Sequence, residues 1–351
     1  MEKQKIAIGM SGGVDSSVAA ALLKKQGFEV IGITMLLCEN DGSGARDAKA
    51  VCEKLGITHY TADFREEFKS NVIDYFVSEY QNGRTPNPCI VCNRFLKFDA
   101  MQRFAEGLGA EKIATGHYAR IEFDEATQRY LLKGATASKK DQTYALYSLT
   151  QKQLSKTIMP LGGLENKDET RKLAQELGFE IADKADSMEI CFVPDDDYIS
   201  YIEKYSGAKC PEGDFVDADG NVLGRHQGII NYTIGQRKGL GVTFGKPMFV
   251  TKIDAEKNQV VLGEKGTEFS SELYADKLNF IPFDKPEQPI EVLAKVRYSA
   301  KPGKATVIPV GEDLVKVVFD EPQRAITPGQ AVVFYDVCRP EIVVGGGIIC
   351  N

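Results

Sequence analysis

What this chain of 351 residues lacks already excludes several classes of protein. It contains no tryptophan, so any stacking on a nucleic-acid base must use tyrosine, phenylalanine, histidine or arginine. No apolar run approaches the roughly 20 residues that a membrane-spanning helix needs. A signal peptide is not recognisable either, because Lys3 and Lys5 precede only a short apolar stretch that a Ser-Gly-Gly sequence interrupts. We therefore expect a cytoplasmic protein without a membrane partner.

The chain is also short of positive charge and of paired cysteine motifs. Its 43 Lys and Arg residues against 50 Asp and Glu give a formal net charge of −7, which argues against a general nucleic-acid binder but permits a local basic face. Eight cysteines without secretory context indicate reduced thiols, metal ligands or catalytic groups rather than a disulfide scaffold. A single Cys-x-x-Cys pair occurs, which excludes a four-cysteine zinc site built from two such pairs.

The order of predicted elements indicates more than one domain. Over the first 120 residues, apolar strands alternate with helices, which predicts an α/β domain with a doubly wound parallel sheet. Residues 140–200 are mixed and mostly helical, whereas short β runs with turn residues predominate from about residue 210. They predict a hairpin and a terminal β-barrel, with strands at 248–253, 259–263, 293–298, 305–310, 314–319, 331–335 and 342–349. We place boundaries near 205 and 275, giving segments 1–205, 206–275 and 276–351.

The most informative segment is the glycine loop 10–17, Met-Ser-Gly-Gly-Val-Asp-Ser-Ser, which follows the apolar run 6–9. Gly12 and Gly13 allow a ligand to approach the backbone closely, and successive N–H groups in such a loop form an anion nest at a helix N-terminus. Three serines add hydroxyl donors, and Asp15 offers a carboxylate for magnesium. Because no Gly-Lys-Ser/Thr follows, the segment predicts a phosphate site other than a Walker A loop.

The second informative segment is the cysteine loop 85–98, in which two prolines precede Cys89 and Cys92. A thiol at a helix N-terminus has a lowered pKa, and Arg94 and Lys97 add positive charge nearby. This environment predicts a nucleophile or a metal ligand. Cys191, near the end of a short apolar run, is by itself more typical of a small buried hydrophobe than of a catalytic group. We expect the other five cysteines to be structural or incidental: Cys38, Cys52, Cys210, Cys338 and Cys350.

Three further motifs are Thr115-Gly-His117, the glycine-rich loop 235–241 and the pair Arg297-Tyr298 near Lys301 and Lys304. In the first, the glycine permits close approach of a nucleotide and the histidine can contact a substrate, although a lone histidine at a strand end is usually structural. The second is either a β turn or a clamp for phosphate or RNA. The third suits a nucleic-acid contact as well as an ordinary surface charge cluster.

Taken together, these segments resemble the tRNA-specific 2-thiouridylase family of PP-loop ATP pyrophosphatases over nearly the whole chain. The matching motifs are Gly9–Ser16, Thr85-Pro-Asn-Pro with Cys92-Asn, Thr115-Gly-His-Tyr, Lys140-Asp-Gln142, Ile190-Cys-Phe-Val, the run 232–241, Arg297-Tyr298 and Thr327-Pro-Gly-Gln330. The resemblance implies a PP-loop domain, a small central domain and a C-terminal β-barrel. It also implies a sulfurtransferase that converts ATP to AMP and pyrophosphate while it thiolates the wobble uridine of tRNA at C2.

The resemblance further implies roles for individual residues. Cys92 and Cys191 match the catalytic pair. The ATP site matches Gly9, Met10, Ser11, Gly12, Gly13, Val14, Asp15, Ser16, Met35 and Gly116, with magnesium near Asp15. The target base matches Asn87, Pro88 and Cys89, and tRNA contacts match His117, Lys140, Asp141, Gln142, Arg237, Lys238, Arg297, Tyr298 and Gln330. The implied partners are the tRNA anticodon stem-loop and a cysteine desulfurase or a sulfur-relay protein.

Two sulfur chemistries stay open. In the family, the residue matching Cys191 carries a persulfide, and Cys92 liberates its sulfur or takes part in a direct attack, which leaves a Cys92–Cys191 disulfide. The best-known members carry aspartate where this chain has Cys89, so a 4Fe–4S cluster held by Cys89, Cys92 and Cys191 is the alternative. We favour the persulfide. Rival functions are a PP-loop synthetase or amidotransferase acting on a small metabolite, and a non-catalytic RNA-binding protein.

Overall fold

The structure, a computed structural model, describes residues 3–38, 42–181, 190–243 and 245–350. The first domain is built on a five-stranded parallel sheet in the order β3-β2-β1-β4-β7. Its strands are β1 (Lys5–Gly9), β2 (Glu29–Leu36), β3 (Thr58–Asp63), β4 (Lys112–Ala114) and β7 (Thr157–Ile158). Ile6 and Ile8 pack into one hydrophobic cluster and Ala7 into another, so both faces of the sheet are buried. The predicted doubly wound α/β domain is confirmed.

The helices of the chain lie mainly in this first domain. They are α1 (Val14–Lys25), α2 (Gly42–Leu55), α3 (Arg65–Phe68), α4 (Asp74–Gln81), α5 (Pro88–Cys92), α6 (Met101–Gly107), α7 (Gln151–Ser155), α8 (Lys167–Glu176) and α9 (Tyr198–Ser206). A π-helical segment, Lys69–Ile73, joins α3 to α4, and a second one, Asn93–Ala100, joins α5 to α6. The predicted helices 66–80 and 95–108 are therefore parts of longer composite helices. Such π segments are common at functional sites, and the second one begins directly after Cys92.

Some short elements were not predicted from the sequence. They are the antiparallel hairpin β5 (Ala119–Asp124) and β6 (Arg129–Gly134), and the 3₁₀ turns Ser138–Lys140, Thr143–Ala145, Pro194–Asp196 and Ile229–Asn231. A helix long and apolar enough to cross a bilayer is not found among the described residues.

The central domain is a four-stranded sheet in the order β10-β11-β8-β9. Its strands are β8 (Gly213–Val216), β9 (Val222–His226), β10 (Met248–Asp254) and β11 (Gln259–Glu264). β10 and β11 pair antiparallel from Met248↔Glu264 to Asp254↔Gln259, which confirms the predicted hairpin.

The C-terminal domain is a closed six-stranded barrel in the order β12-β15-β14-β13-β16-β17. Its strands are β12 (Phe269–Phe280), β13 (Ile290–Lys295), β14 (Gly303–Pro309), β15 (Leu314–Arg324), β16 (Ala331–Tyr335) and β17 (Val343–Ile349). The five predicted strands are present, whereas β12, which runs across position 275, was missed. β13 ends before Arg297 and Tyr298, which therefore lie beyond the strand end rather than within the ladder.

The barrel is attached to the first domain through hydrogen bonds to backbone carbonyls. Asn279 Nδ2 donates to the carbonyl oxygens of Tyr147 at 2.7 Å and Leu149 at 3.1 Å, and the Tyr144 hydroxyl donates to Ala331 O at 2.8 Å. One hydrophobic cluster contains Tyr144 and Leu149 of the first domain together with Ala331 and Val333 of the barrel, so the two domains pack against each other.

Candidate active site

The glycine loop lies between β1 and α1, at the carboxyl end of the central strand. Gly12 has a φ of +72°, and a Cβ there would lie 2.4 Å from Gly44 O, so the loop backbone depends on glycine at this position. The hydroxyls of Ser16 and Ser17 donate to Gly13 O at 3.1 and 2.9 Å and close the first turn of α1. Ser17 is fully buried. Ser11, which is exposed at the loop mouth, therefore remains the hydroxyl best placed for a ligand.

The carboxylate of Asp15 is held by two residues that sequence reasoning missed. Lys167 Nζ lies 2.6 and 2.7 Å from its two oxygens, and the Tyr118 hydroxyl donates to it at 2.9 Å. Tyr118 also bonds Thr170 Oγ1 at 2.8 Å, and the side chain of Lys167 is only 10% exposed. The first residue of α8 thus places a nearly buried ammonium at the glycine loop. No local pattern predicts this contact, because the two partners are remote in sequence.

Gly116 lies directly against the start of α1. A Cβ at this position would lie 2.8 Å from Ser16 N and 2.9 Å from Asp15 C, so any side chain would displace the loop backbone. The side chains of Met10 and Val14 are buried in the core, and the backbone of Met10 is bonded within the sheet, through its N–H to Ile33 O at 2.8 Å and its carbonyl to Thr34 Oγ1 at 2.9 Å. Met35 is partly buried near the end of the neighbouring strand.

The cysteine loop enters α5 through a capped N-terminus. Asn87 Oδ1 accepts a hydrogen bond from Cys89 N at 3.2 Å, and Pro88 occupies the first helical position. Cys89 is exposed and Cys92 is buried. Burial raises the pKa of Cys92, and Lys97 offsets this only in part. The expected lowered pKa is therefore wrong for Cys92, because the effect of burial outweighs that of the nearby positive charge.

Cys191 is brought to the same place by its neighbour Phe192. The Phe192 ring lies 5.5 Å from that of Phe68 and 5.2 Å from that of Phe76, both edge to face, which anchors the segment in the core. The thiol of Cys191 is accessible to solvent yet set among protein atoms. Burial first, and then the nearby thiols of Cys92, Cys89 and Cys38, raise its pKa to about 12. Residues 187–189 of the predicted motif lie outside the described residues.

Cys38, expected to be structural or incidental, lies near Cys191. It follows β2 and lies close enough to Cys191 to influence the titration of that thiol. All eight cysteines are unbonded thiols. Four of them, Cys38, Cys89, Cys92 and Cys191, thus belong to one neighbourhood.

The fit of the implied metals differs between the two sites. Carboxylate and hydroxyl oxygens at Asp15 and Ser11 are the hard ligands that Mg²⁺ prefers, although Lys167 bonds the carboxylate in this structure. Within the described ranges, no three Cys, His, Asp or Glu side chains are arranged to hold a metal ion. The three thiols considered for an iron–sulfur cluster therefore do not form a ready ligand set in this structure.

His117 packs against the helical segment that follows Cys92. Its Nδ1 lies 2.8 Å from Thr115 Oγ1, and its ring lies 5.7 Å from that of Phe98. Burial, assisted by the positive charge of Lys97, lowers the pKa of His117 well below its ordinary value. The histidine is therefore neutral at pH 7. Lys97 is the cation common to His117, Cys92 and Cys191.

The segments predicted to contact tRNA come from different domains, and the structure brings two of them together. The Tyr298 hydroxyl of the barrel donates to Asp141 O at 3.4 Å. Gln142 Oε1 accepts from Tyr118 N at 2.9 Å, and Asp141 accepts from Thr143 Oγ1 at 2.7 Å. The side chains of Asp141 and Gln142 thus also serve the local fold, beside Lys140.

Lys295 is a second cation that sequence reasoning missed. Its Nζ lies 5.8 Å from the ring centre of Tyr144 and 5.2 Å from that of Tyr298. Burial lowers its pKa, although the charge of Asp141 opposes this. Among the described residues it has no carboxylate within ion-pair distance. An alternating strand pattern gives no signal of such a site, because the two rings belong to different domains.

The glycine-rich loop 235–241 packs against the barrel. Arg324 donates to Gly235 O at 3.1 Å, and Arg297 donates to Arg324 O at 3.1 Å. Arg237 and Lys238 are exposed on this loop, so it joins Arg297 on one basic surface. Gln330 is directed elsewhere: its Nε2 donates to Thr85 O at 2.8 Å, in the segment before α5.

Comparison with known proteins agrees with this architecture. Three family profiles match successive parts of the chain: the tRNA methyl transferase HUP domain over residues 4–195, the tRNA methyl transferase PRC-barrel domain over 199–264 and the aminomethyltransferase beta-barrel domain over 270–349. Among solved structures, NMN synthetase from Francisella tularensis is 19% identical with a TM-score of 0.35, over 60% of this chain and 79% of that one. That likeness is too slight to carry an argument.

Curated relatives match from end to end. Proteins called tRNA-specific 2-thiouridylase MnmA are 56% identical in Clostridioides difficile, over 99% of this chain and 98% of the relative, and 53% identical in Acetivibrio thermocellus, over 99% and 100%. With this identity over nearly its full length, the chain belongs to the tRNA-specific 2-thiouridylase family.

Proposed function

We propose that this protein is an ATP-dependent sulfurtransferase that converts the wobble uridine of tRNA to 2-thiouridine. One observation carries the proposal. Cys92 and Cys191, remote in sequence, lie near each other and near Lys97. The ring of His117 packs on Phe98, in the segment that follows Cys92, and its neighbour Gly116 lies against the start of α1 at the glycine loop. Thiolation requires ATP to activate the uridine O2 and a sulfur to replace it, and a nucleotide site next to two thiols can do both. The names of the relatives support the same substrate.

In the first step the glycine loop binds ATP. The uridine O2 attacks the α-phosphorus, N3 loses its proton, and the bond from the α-phosphorus to the bridging oxygen breaks, so pyrophosphate leaves. The loop N–H groups and Lys167 stabilise the charge that collects on the departing phosphates. Oxygens of Asp15 and Ser11 would hold a magnesium ion, which would supply further charge neutralisation. Gly116 keeps the loop backbone in place.

In the second step Cys191 carries a persulfide that a cysteine desulfurase or a sulfur-relay protein has supplied. The Cys92 thiolate attacks the Cys191 sulfur, a Cys92–Cys191 disulfide forms, and hydrosulfide is released. Hydrosulfide adds to C2 of the adenylated uridine, its proton passes to N3, and AMP leaves with the former O2. A thiol reductant then supplies two electrons to open the disulfide.

The raised pKa values of the two thiols have a mechanistic consequence. At pH 7 both Cys92 and Cys191 are protonated in the RNA-free protein, because burial raises the pKa of each. Protonated thiols are poor nucleophiles, so Cys92 must lose its proton before it attacks. Lys97 is the residue that favours the thiolate once the site is assembled.

The RNA is bound by the basic surface that joins the central loop and the barrel. Arg237, Lys238 and Arg297 meet the phosphates of the anticodon stem-loop, and Tyr298 stacks with a base near segment 140–142. Asn87, Pro88 and Cys89 lie beside the target base. His117, being neutral, contacts the RNA as a hydrogen-bonding group rather than as a cation.

The test is reconstitution with ATP, magnesium, unmodified tRNA and a persulfide donor, followed by mass spectrometry of the nucleosides. We expect 2-thiouridine, AMP and pyrophosphate, with AMP formation dependent on tRNA. Cys92→Ser and Cys191→Ser should abolish 2-thiouridine and retain tRNA binding, whereas the exposed Cys338→Ser should be fully active. ADP and phosphate as products, or full thiolation by either serine variant, would contradict the proposal.

The same experiment separates the alternatives. A PP-loop synthetase or amidotransferase acting on a small metabolite would form AMP without tRNA and without a cysteine requirement. Under the persulfide scheme, Cys89→Asp keeps thiolation and the active protein contains no iron. Stoichiometric iron and sulfide in active anaerobic protein, lost with activity in Cys89→Ala, would instead establish cluster chemistry, since such clusters are held by thiolates.

A further inference from the structure

The barrel is hydrogen-bonded to the segment that leads into α5 at Thr85. Its N–H donates to Pro328 O at 2.9 Å, and its carbonyl accepts from Gln330 Nε2 at 2.8 Å. Both partners belong to the turn 327–330 between β15 and β16. The two backbone groups of Thr85 are thus both bonded to the barrel, although Thr85 belongs to the PP-loop domain.

The turn that makes these bonds is itself fixed. Gln330 N donates to Thr327 O at 3.2 Å, and Ile349 N donates to Gln330 O at 2.8 Å, which ties the turn to the last barrel strand. Gly329 has a φ of +89°, and a Cβ there would lie 2.9 Å from Thr85 N. The turn therefore approaches the cysteine loop as closely as two backbones can.

Thr85 also lies shortly before the N-terminus of α5, the helix that contains Cys89 and Cys92. Before it, Arg84 Nε pairs with the nearly buried Glu79 at 2.9 Å. After it, two residues lead to Asn87, whose side chain caps the short helix that ends at Cys92. With one end fixed by an ion pair and Thr85 fixed by the barrel, the direction of α5 depends on the barrel turn.

We propose that Gln330 is a positioning residue that holds the cysteine helix α5 on the barrel through Thr85. The barrel then has a second task besides binding RNA: it sets where Cys89 and Cys92 meet the bound nucleotide. The inference deepens the proposed function and rests on it for the role of the thiols. The mechanical coupling itself is a property of the RNA-free protein, where an RNA contact of Gln330 has no influence.

The test is amide hydrogen exchange of the RNA-free full chain, read by mass spectrometry over residues 84–92. Gln330→Leu keeps the bulk and removes the donor, whereas Gln330→Lys keeps a donor. The matched control is Gln323→Leu, because Gln323 Nε2 bonds only the nearby Glu321 O at 2.9 Å in the same strand. We expect about 2- to 10-fold faster exchange in Gln330→Leu, the range for one net hydrogen bond. Gln330→Lys should stay closer to the wild type, and the control should match it.

Single-turnover thiolation and tRNA affinity complete the test. In Gln330→Leu the thiolation rate should fall by about the same 2- to 10-fold factor as the change in exchange. The Kd for tRNA should change by less than about twofold. Unchanged exchange over 84–92 would overturn the inference, and lost tRNA affinity with unchanged exchange would make Gln330 an RNA contact only. If the wild type thiolates no tRNA, the proposed function fails, yet the exchange result still decides the positioning role.

Discussion

Replacing Lys167 by methionine removes one ammonium group from the phosphate loop and keeps most of the side-chain volume. In the structure this ammonium lies 2.6 and 2.7 Å from the two oxygens of Asp15, whose side chain is 31% exposed. A hydrogen bond to a charged group contributes about 1.5–3 kcal/mol. Because Asp15 keeps the Tyr118 hydroxyl and part of its hydration, we expect a loss near the lower end, about 1.5 kcal/mol of unfolding free energy.

The catalytic cost should be larger than the cost in stability. Removing one preorganised donor from a site of developing charge lowers kcat by about 10²- to 10³-fold, and Lys167 is the nearly buried cation closest to the loop. Formation of AMP from ATP in the presence of tRNA should therefore fall by about this factor in Lys167→Met. Unfolding followed by circular dichroism measures the stability of the same preparations.

A matched control lies on the same helix. Lys172 pairs with Glu176 at 3.9 Å, and its side chain is 76% exposed, so Lys172→Met should change neither stability nor AMP formation measurably. A double-mutant cycle with Asp15→Asn tests whether Lys167 acts only as a counter-ion, since contacting charges couple by about 0.5–3 kcal/mol. If Lys167→Met retains AMP formation within about twofold while the cycle shows coupling, the charge-stabilising role is refuted and only the structural ion pair remains.

Three further outcomes follow from the titratable groups and the RNA surface. Because burial raises the pKa of Cys92, iodoacetamide should label it far more slowly at pH 7 than the exposed Cys338, and its rate should rise steeply with pH. Burial lowers the pKa of His117, so as the pH falls the unfolded chain binds a proton at this residue before the folded protein does. The unfolding free energy should therefore decrease as the pH is lowered past about 6.5. His117→Gln should weaken this pH dependence between pH 7 and pH 5. Lys295→Met should flatten the slope of log affinity for tRNA against log salt by roughly 0.7–0.9, as expected for one lost phosphate contact. The control is Lys316→Met, which removes a barrel lysine already paired with Glu272 at 2.7 Å and should leave the slope unchanged. Equal slopes for both variants would show that Lys295 does not contact the RNA.

The parts of the fold that the sequence predicted are those with local signals. The run from β1 through the glycine loop to α1 combines an apolar strand, glycines and a helix start within a few residues, and the structure confirms it. The hairpin of β10 and β11 has a turn signal at Lys257-Asn258 and was also found. β12 was missed because its sequence, FSSELYADKLNF, carries polar and charged residues at many positions and lacks a clear alternation.

The parts of the site that were missed depend on contacts between distant segments. No spacing rule connects Lys167 to Asp15, or Lys295 to the rings of Tyr144 and Tyr298. The direction of the pKa shift of Cys92 was predicted wrongly for a related reason. The sequence showed a proline-initiated helix near cations, but the burial of the thiol is decided by tertiary packing.

Tyr118 connects segment 140–142 to the glycine loop. Its backbone N–H and carbonyl pair with Gln142 at 2.9 and 3.0 Å, in the segment that we assign to tRNA, while its hydroxyl donates to Asp15 at the phosphate loop. A displacement of segment 140–142 by bound RNA therefore acts on Asp15, and through it on Lys167, by way of one rigid aromatic side chain. The same logic holds at Thr85, where the barrel contacts the cysteine loop. Under the proposed function, these two contacts join RNA-facing elements to the nucleotide and to the thiols, which gives a physical reason for ATP cleavage to wait for the RNA.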